Sequence, residues 1–141
     1  MALSVVLDTN ILLVTVSSRS PYHWLFQALQ TERFDLLLTH DILLEYEEII
    51  ERHMGAEVAA DVIAFLRIAP NVHFVTRYFR WRLIKADPDD DKFVDCAIAG
   101  RADGVVTHDR HFDVLREIAF PYVRILTLDE FKQILDEDVS S

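Results

Sequence analysis

The acidic residues that stand where apolar runs end are the groups in this chain best placed to do chemistry. Asp8 closes the run Ser4-Val5-Val6-Leu7, and Asp109 comes just past Gly104-Val105-Val106-Thr107. Asp91 lies at the start of the helical pattern that leads into that second run, and Glu45 sits beside the apolar stripe Ile42, Tyr46, Ile49 and Ile50. Four converging carboxylates repel one another and raise each other's pKa. A hard divalent cation such as Mg²⁺ or Mn²⁺ removes that penalty, because both ions take oxygen ligands. One or two such ions activate water, clamp a phosphate and stabilise a leaving oxygen. An all-carboxylate set without Cys or paired His ligands suits phosphoryl chemistry better than zinc chemistry.

These positions depend on an alternation of strands and helices. Ser4–Leu7, Asp35–Thr39, Val72–Val75, Gly104–Thr107 and Val123–Leu126 read as five short strands. Helical spacing falls on residues 11–16, 22–30, 41–53 and 57–68, on a stretch opened by Asp87-Pro88 and ending near Arg101, on a short piece 114–118, and on a last helix carrying Leu128, Phe131, Ile134 and Leu135. The expected architecture is α/β, with three layers and a central, mainly parallel sheet of about five strands. Residues 1–141 read as one domain, with 136–141 as a frayed tail and Thr76–Ala86 without a clear pattern. Sites in open parallel sheets form at the carboxyl ends of strands, which is where Asp8 and Asp109 fall. Glu47, Glu48 and Glu51 point further toward solvent.

Composition limits the alternatives. The chain has 141 residues, 51% of them hydrophobic, with 3 Gly and 4 Pro. That is enough to pack a core and too much for a disordered chain. The single Cys96 excludes an internal disulfide framework and suits a reducing cytoplasm. The first residues lack the basic region of a signal peptide, and no run reaches the roughly 20 apolar residues of a membrane helix. A soluble, cytoplasmic protein is expected. The net charge of −10 argues against a nucleic-acid binder if taken alone. Acids that hold metal nevertheless present cations to a phosphate, so local and global charge can differ in sign.

Several of these residues also have plainer readings. Asp8 is a good helix N-cap. Asp89 and Asp90 suit a helix N-terminus through its dipole, whereas Asp91 reads as a ligand alongside Asp109. His108 and His111 flank Asp109 at a spacing of three, a pattern open to a transition metal, although the six His are mostly background. Cys96 lies among apolar residues and reads as core. The stretch Arg77-Tyr78-Phe79-Arg80-Trp81-Arg82-Leu83-Ile84-Lys85 is the densest in basic and aromatic residues. Arg80 and Arg82 are candidate RNA contacts there, against the plainer reading of an edge segment that offsets an acidic surface. Arg19, among serines near Asp8, is a second candidate phosphate contact. A haloacid-dehalogenase-type phosphatase would need Asp-x-Asp where this chain has Asp8-Thr9-Asn10, and its glycines build no phosphate loop.

Four segments carry a family resemblance that spans about Ser4 to Leu135. Val5-Val6-Leu7-Asp8-Thr9-Asn10 resembles the opening of PIN domains, and Leu43-Leu44-Glu45-Tyr46 resembles the PIN helix carrying the second acid. Asp87-Pro88-Asp89-Asp90-Asp91-Lys92-Phe93 and Gly104-Val105-Val106-Thr107-His108-Asp109 are similar to the third and fourth PIN motifs. The resemblance implies a metal-dependent endoribonuclease using Mg²⁺ or Mn²⁺, of the kind that serves as the toxin of a toxin–antitoxin pair. Water activated by the metal would attack phosphorus, leaving a 5′-phosphate and a 3′-hydroxyl. It carries over Asp8, Glu45, Asp91 and Asp109 as the metal-binding, catalytic acids. Asp95, one helical turn from Asp91, is an added candidate. Asn10 and Thr107 are expected to orient those acids or their water through hydrogen bonds. RNA as substrate, an antitoxin partner and pairing of two copies are further expectations. The alternative is a PIN fold that binds RNA or protein without cutting. His108 departs from the family, standing where Gly or Arg is common, and would narrow the approach to Asp109.

Overall fold

The structure is a computed structural model that describes residues 3–77, 79–85 and 87–139, with Asp138 and Val139 described by backbone alone. Tyr78 and Ala86 of the patternless stretch, and the last two residues of the tail, lie outside the described residues. Five strands form one sheet in the order β3-β2-β1-β4-β5. They are β1 (Ser4–Leu7), β2 (Asp35–Leu38), β3 (Val72–Phe74), β4 (Gly104–Val106) and β5 (Ile125–Leu126), and every neighbouring pair is parallel. Six α-helices connect or flank them: α1 (Thr9–Val16), α2 (His23–Gln30), α3 (His40–Met54), α4 (Ala56–Ile68), α5 (Asp91–Gly100) and α6 (Leu128–Val139). None of the described helices is long and apolar enough to cross a membrane.

The local sequence accounts for most of these elements. Val5, Val6 and Leu7 are buried without alternation, as a central parallel strand covered on both faces requires. Each such side chain contributes about 1.5–3 kcal/mol through burial. Thr39 caps α3 by accepting a hydrogen bond from the Ile42 N–H at 3.4 Å, and Asp41 in the first turn favours the positive end of the helix dipole. Ile42, Leu43, Tyr46 and Ile50 form the buried face of α3, which leaves Glu45 at its half-buried margin. The Tyr46 hydroxyl donates to the Leu7 carbonyl at 2.5 Å, pinning α3 behind the end of β1. Helix α5 packs across β1, β2 and β4. Its Gly100 permits close approach to β2, since a Cβ there would lie 2.7 Å from Leu37 Cδ1.

Three boundaries differ from the sequence reading. The stretch opened by Asp87-Pro88 is two elements, a 3-10 turn Pro88–Asp90 followed by α5. The short helix near 114–118 is a 3-10 segment running from Arg110 to Glu117. Residues 136–139 belong to α6, where Asp136 meets Arg33 at 3.7 Å and Lys132 at 3.7 Å, so ion pairs tie down what composition alone marks as a tail.

Candidate active site

The chain order places β2 on one side of β1 and β4 on the other, so a crevice opens at the carboxyl ends of β1 and β4. Asp8 and Asp109 enter it from those two strand ends. The Asp8 N–H donates to the Val106 carbonyl at 3.1 Å, continuing the ladder to the last possible residue. The Thr107 hydroxyl donates to Asp8 Oδ2 at 2.8 Å and accepts from the Asp109 N–H at 3.0 Å. The buried Thr107 hydroxyl therefore links the two acids. Asn10 is exposed at the rim of a cavity of about 310 Å³ lined also by Asp8, Tyr22, His108 and Asp109.

Further acids come from the turn before α5. Asp87, Asp90, Asp109 and His111 each offer a ligand atom, all within 4.8 Å of one another. The His111 Nδ1 lies 3.4 Å from Asp109, 3.8 Å from Asp87 and 3.8 Å from Asp90. Asp87 caps the 3-10 turn by accepting from the Asp89 N–H, and Asp109 caps the next one by accepting from the His111 N–H at 2.9 Å. These caps fix the loops that carry the cluster. Burial, followed by the charges of Asp87, Asp8 and Asp109, pushes the Asp90 carboxyl up to about 7. Burial also raises Asp8, with Thr107 pulling it back and Asp109 and Glu45 adding repulsion. Asp90 Oδ2, like Asp95 Oδ2, is buried without a hydrogen bond, the nearest cationic nitrogens lying 3.8 Å and 3.5 Å away.

Glu45 completes the wall on the α3 side. Its carboxylate accepts from the Thr9 hydroxyl and meets Lys92 Nζ at 2.6 Å. Lys92 also donates to the Asp89 carbonyl at 3.0 Å, so this one ammonium ties α3 to the turn before α5.

Asp91 and Asp95, both expected in the set, hydrogen-bond to the segment 77–85. Asp91 Oδ1 accepts the Ile84 N–H at 2.8 Å, and Asp95 Oδ1 accepts the Trp81 N–H at 3.1 Å. Asp95 is 2% exposed, and its Oδ2 lies 3.5 Å from the Arg77 guanidinium, which also reaches Asp41 at 3.7 Å. Burial raises the Asp95 carboxyl, while the Trp81 N–H and Arg77 oppose that rise. Asp91 and Asp95 do share a helical face, but that face grips the segment 77–85. Asp90, one position earlier, lies with Asp87, Asp109 and His111 and feels the charge of Asp8. The 3-10 turn ends at Asp90 and α5 begins at Asp91.

Asp87, Asp90, Lys92 and Thr9 were not selected from the sequence as site residues. The run Asp87-Pro88-Asp89-Asp90 carried a signal for the first two, since a Pro-led tight turn can present several of its acids to one place. His108 and His111 do not act as a pair: His108 Nε2 accepts from the Leu128 N–H at 3.3 Å, and His111 alone joins the acids. Arg19 is exposed in the loop between α1 and α2. Burial pushes the Cys96 thiol up to about 12, which leaves it inert as a nucleophile at neutral pH.

A family model described as PIN domain matches residues 4–111. The chain belongs to the PIN-domain family. Among solved structures, the fold is similar to the crystal structure of VapBC2 from Rickettsia felis bound to a DNA fragment from their promoter. That match has a TM-score of 0.61 and 14% identity, covering 89% of this chain and 98% of the other. No curated protein matches. The parallel five-stranded PIN sheet thus supplies two strand ends, an α3 wall and the turn before α5 as the sources of its acids.

The electrostatics of this PIN site give a pH prediction. Below about pH 4 the Asp90 carboxyl is protonated in both folded and unfolded chains. Between there and about 7 only the folded chain keeps the proton. Stability of the metal-free protein from this group is therefore lost as pH rises through that window. The melting temperature of Asp90→Asn minus that of wild type, in chelator, is expected to grow from pH 4 to pH 7.5. A difference independent of pH contradicts the raised carboxyl.

Proposed function

We propose that this PIN-domain protein is a metal-dependent endoribonuclease whose acid cluster at the ends of β1 and β4 holds Mg²⁺ or Mn²⁺. The observation that carries this reading is the convergence of Asp87, Asp90, Asp109 and His111, whose ligand atoms lie within 4.8 Å of one another, with the Asp90 carboxyl raised by burial and by the charges of Asp87, Asp8 and Asp109. Such a group is costly without a cation. The donor set of carboxylates with one imidazole fits a hard divalent ion. Asp8, Asp90 and Asp109 are the residues that would hold it, with Asp87 and His111 in reach of the same place and Glu45 closing the α3 side.

A bound divalent ion would supply Lewis-acid stabilisation of phosphate and a more acidic water. The remaining tasks belong to the protein. Thr107 holds Asp8 and Asp109 in register, and Lys92 limits the negative charge of Glu45. The half-open cavity beside Asp8 admits a phosphodiester past Tyr22 and His108. Hydrolysis by water is expected to leave a 5′-phosphate and a 3′-hydroxyl. Analysis of the ends of a cleaved, labelled oligoribonucleotide tests this directly. Finding 2′,3′-cyclic phosphate ends instead would rule out water as the nucleophile.

The VapBC2 relationship supports a role as the toxin of a toxin–antitoxin pair, with an antitoxin protein as partner. A cytoplasmic location and pairing of two copies accompany that proposal.

A further inference from the structure

Outside the acid cluster the most distinctive surface is the segment 77–85. It carries four of the chain's 14 Lys and Arg residues and no acid, in a protein of net charge −10. Its backbone is held from behind, because Asp95 accepts the Trp81 N–H and Asp91 accepts the Ile84 N–H. Arg77 is consumed by Asp95 and Asp41. Arg80, Arg82 and Lys85 are exposed, and among the described residues no ion pair engages Arg82 or Lys85.

Aromatic rings alternate with these cations. Phe79 is 61% exposed and its ring centroid lies 4.6 Å from that of Trp81. Phe120 is 84% exposed and lies 6.3 Å from Trp81 on its other contact. Two bare rings thus flank a half-buried indole. A cavity of about 500 Å³ along the same segment is lined by Arg80, Arg82 and Lys85, with Asp91 and Asp95 on its α5 side. An adjoining cavity shares Arg82 and Lys85 and is lined also by His111, which belongs to the acid cluster. The basic surface and the acid cluster therefore meet at His111.

Exposed rings interleaved with unpaired cations match a chain of phosphates with accessible base faces. A duplex would offer phosphates to the cations and nothing to the rings, since its bases are stacked on one another. We propose that Phe79 and Phe120, backed by Trp81, stack unpaired bases of a single-stranded RNA while Arg82 and Lys85 hold its phosphates. The strand is thereby led toward the acid cluster. This inference rests on the nuclease reading for its choice of RNA, and its test does not require cutting.

The test measures affinity for a short single-stranded oligoribonucleotide, for an abasic oligomer of equal length and for the duplex, in chelator and again in Ca²⁺. Wild type is expected to prefer the single strand by at least about 10-fold. Phe79→Ala/Phe120→Ala is expected to lose that preference, with circular dichroism unchanged because both rings are exposed. Arg82→Ala should weaken all three ligands alike and reduce the salt dependence by about one ion. Equal affinity of wild type for the three ligands, an undiminished preference in the double variant, or no binding in either condition would each overturn the proposal. So would a double variant that changes only the oligomeric state. A protein that shows the preference but never cuts would defeat the nuclease reading and leave the platform standing.

Discussion

Asp90→Asn is expected to bind Mn²⁺ at least about 100-fold more weakly than wild type and to melt higher in chelator. Removing a group that merely supports a metal ligand already costs about 10–100-fold in affinity, and Asp90 is placed to be a ligand itself. The opposite effect on metal-free stability has the same origin. Asp90 is half-buried among three like charges, and its Oδ2 makes no hydrogen bond, His111 Nδ1 standing 3.8 Å away. Asparagine keeps the shape and removes the charge. A gain of about 1 kcal/mol would raise the melting temperature by roughly 4 °C in a chain of this length. Mn²⁺ should reverse the ranking, because binding stabilises only the protein that holds the ion tightly. Isothermal titration and thermal melts with and without Mn²⁺ check both halves. Asp91→Asn is the internal comparison: it should bind metal as wild type does, since Asp91 faces Ile84. Loss of metal affinity in Asp91→Asn with none in Asp90→Asn would reverse the assignment.

Asp95→Ala is expected to lower stability by about 3 kcal/mol, or roughly 10 °C in melting temperature, with and without metal. The loss is large because Arg77 would remain, largely buried, without its closest carboxylate, and the Trp81 N–H without an acceptor. Asp95→Asn retains an acceptor for Trp81 and should lose less. If Asp95 were instead a metal ligand, Asp95→Ala would weaken metal binding and leave the metal-free melting temperature level or higher. Calorimetric melts in chelator therefore separate the two roles.

The difference between these two aspartates shows how far residue patterns alone reach. Asp8 and Asp109 were legible because the carboxyl ends of parallel strands are readable as the places where apolar runs stop. Glu45 was legible because a helical stripe fixes which residue stands at its margin. The five strands and their parallel direction followed from the same alternation, whereas their order in the sheet is seen only in the fold. Asp89 and Asp90 read equally well as acids at a helix N-terminus, and three consecutive aspartates carry no pattern that singles out Asp90. Adjacent residues of a helical turn point about 100° apart, so which of Asp90 and Asp91 enters the cluster depends on how the turn docks against β1 and β4, which spacing alone does not fix. The pairing of Asp91 with Asp95 on one face was legible from their spacing. The direction of that face was not, because it is set by the segment 77–85, which has no periodicity of its own. The Lys92–Glu45 contact joins two distant segments and exists only once α3 and α5 are packed.

The central claim is that metal held by the cluster of Asp8, Asp90 and Asp109 cuts RNA. The most direct test is cleavage of a mixed single-stranded RNA pool by wild type, Asp90→Asn and Asp91→Asn, each with Mn²⁺, with Mg²⁺ and with chelator. The account predicts cutting by wild type and Asp91→Asn in metal, none in chelator, and at least about 100-fold less by Asp90→Asn. Cutting by Asp90→Asn at the wild-type rate, or cutting that survives chelation, would contradict it.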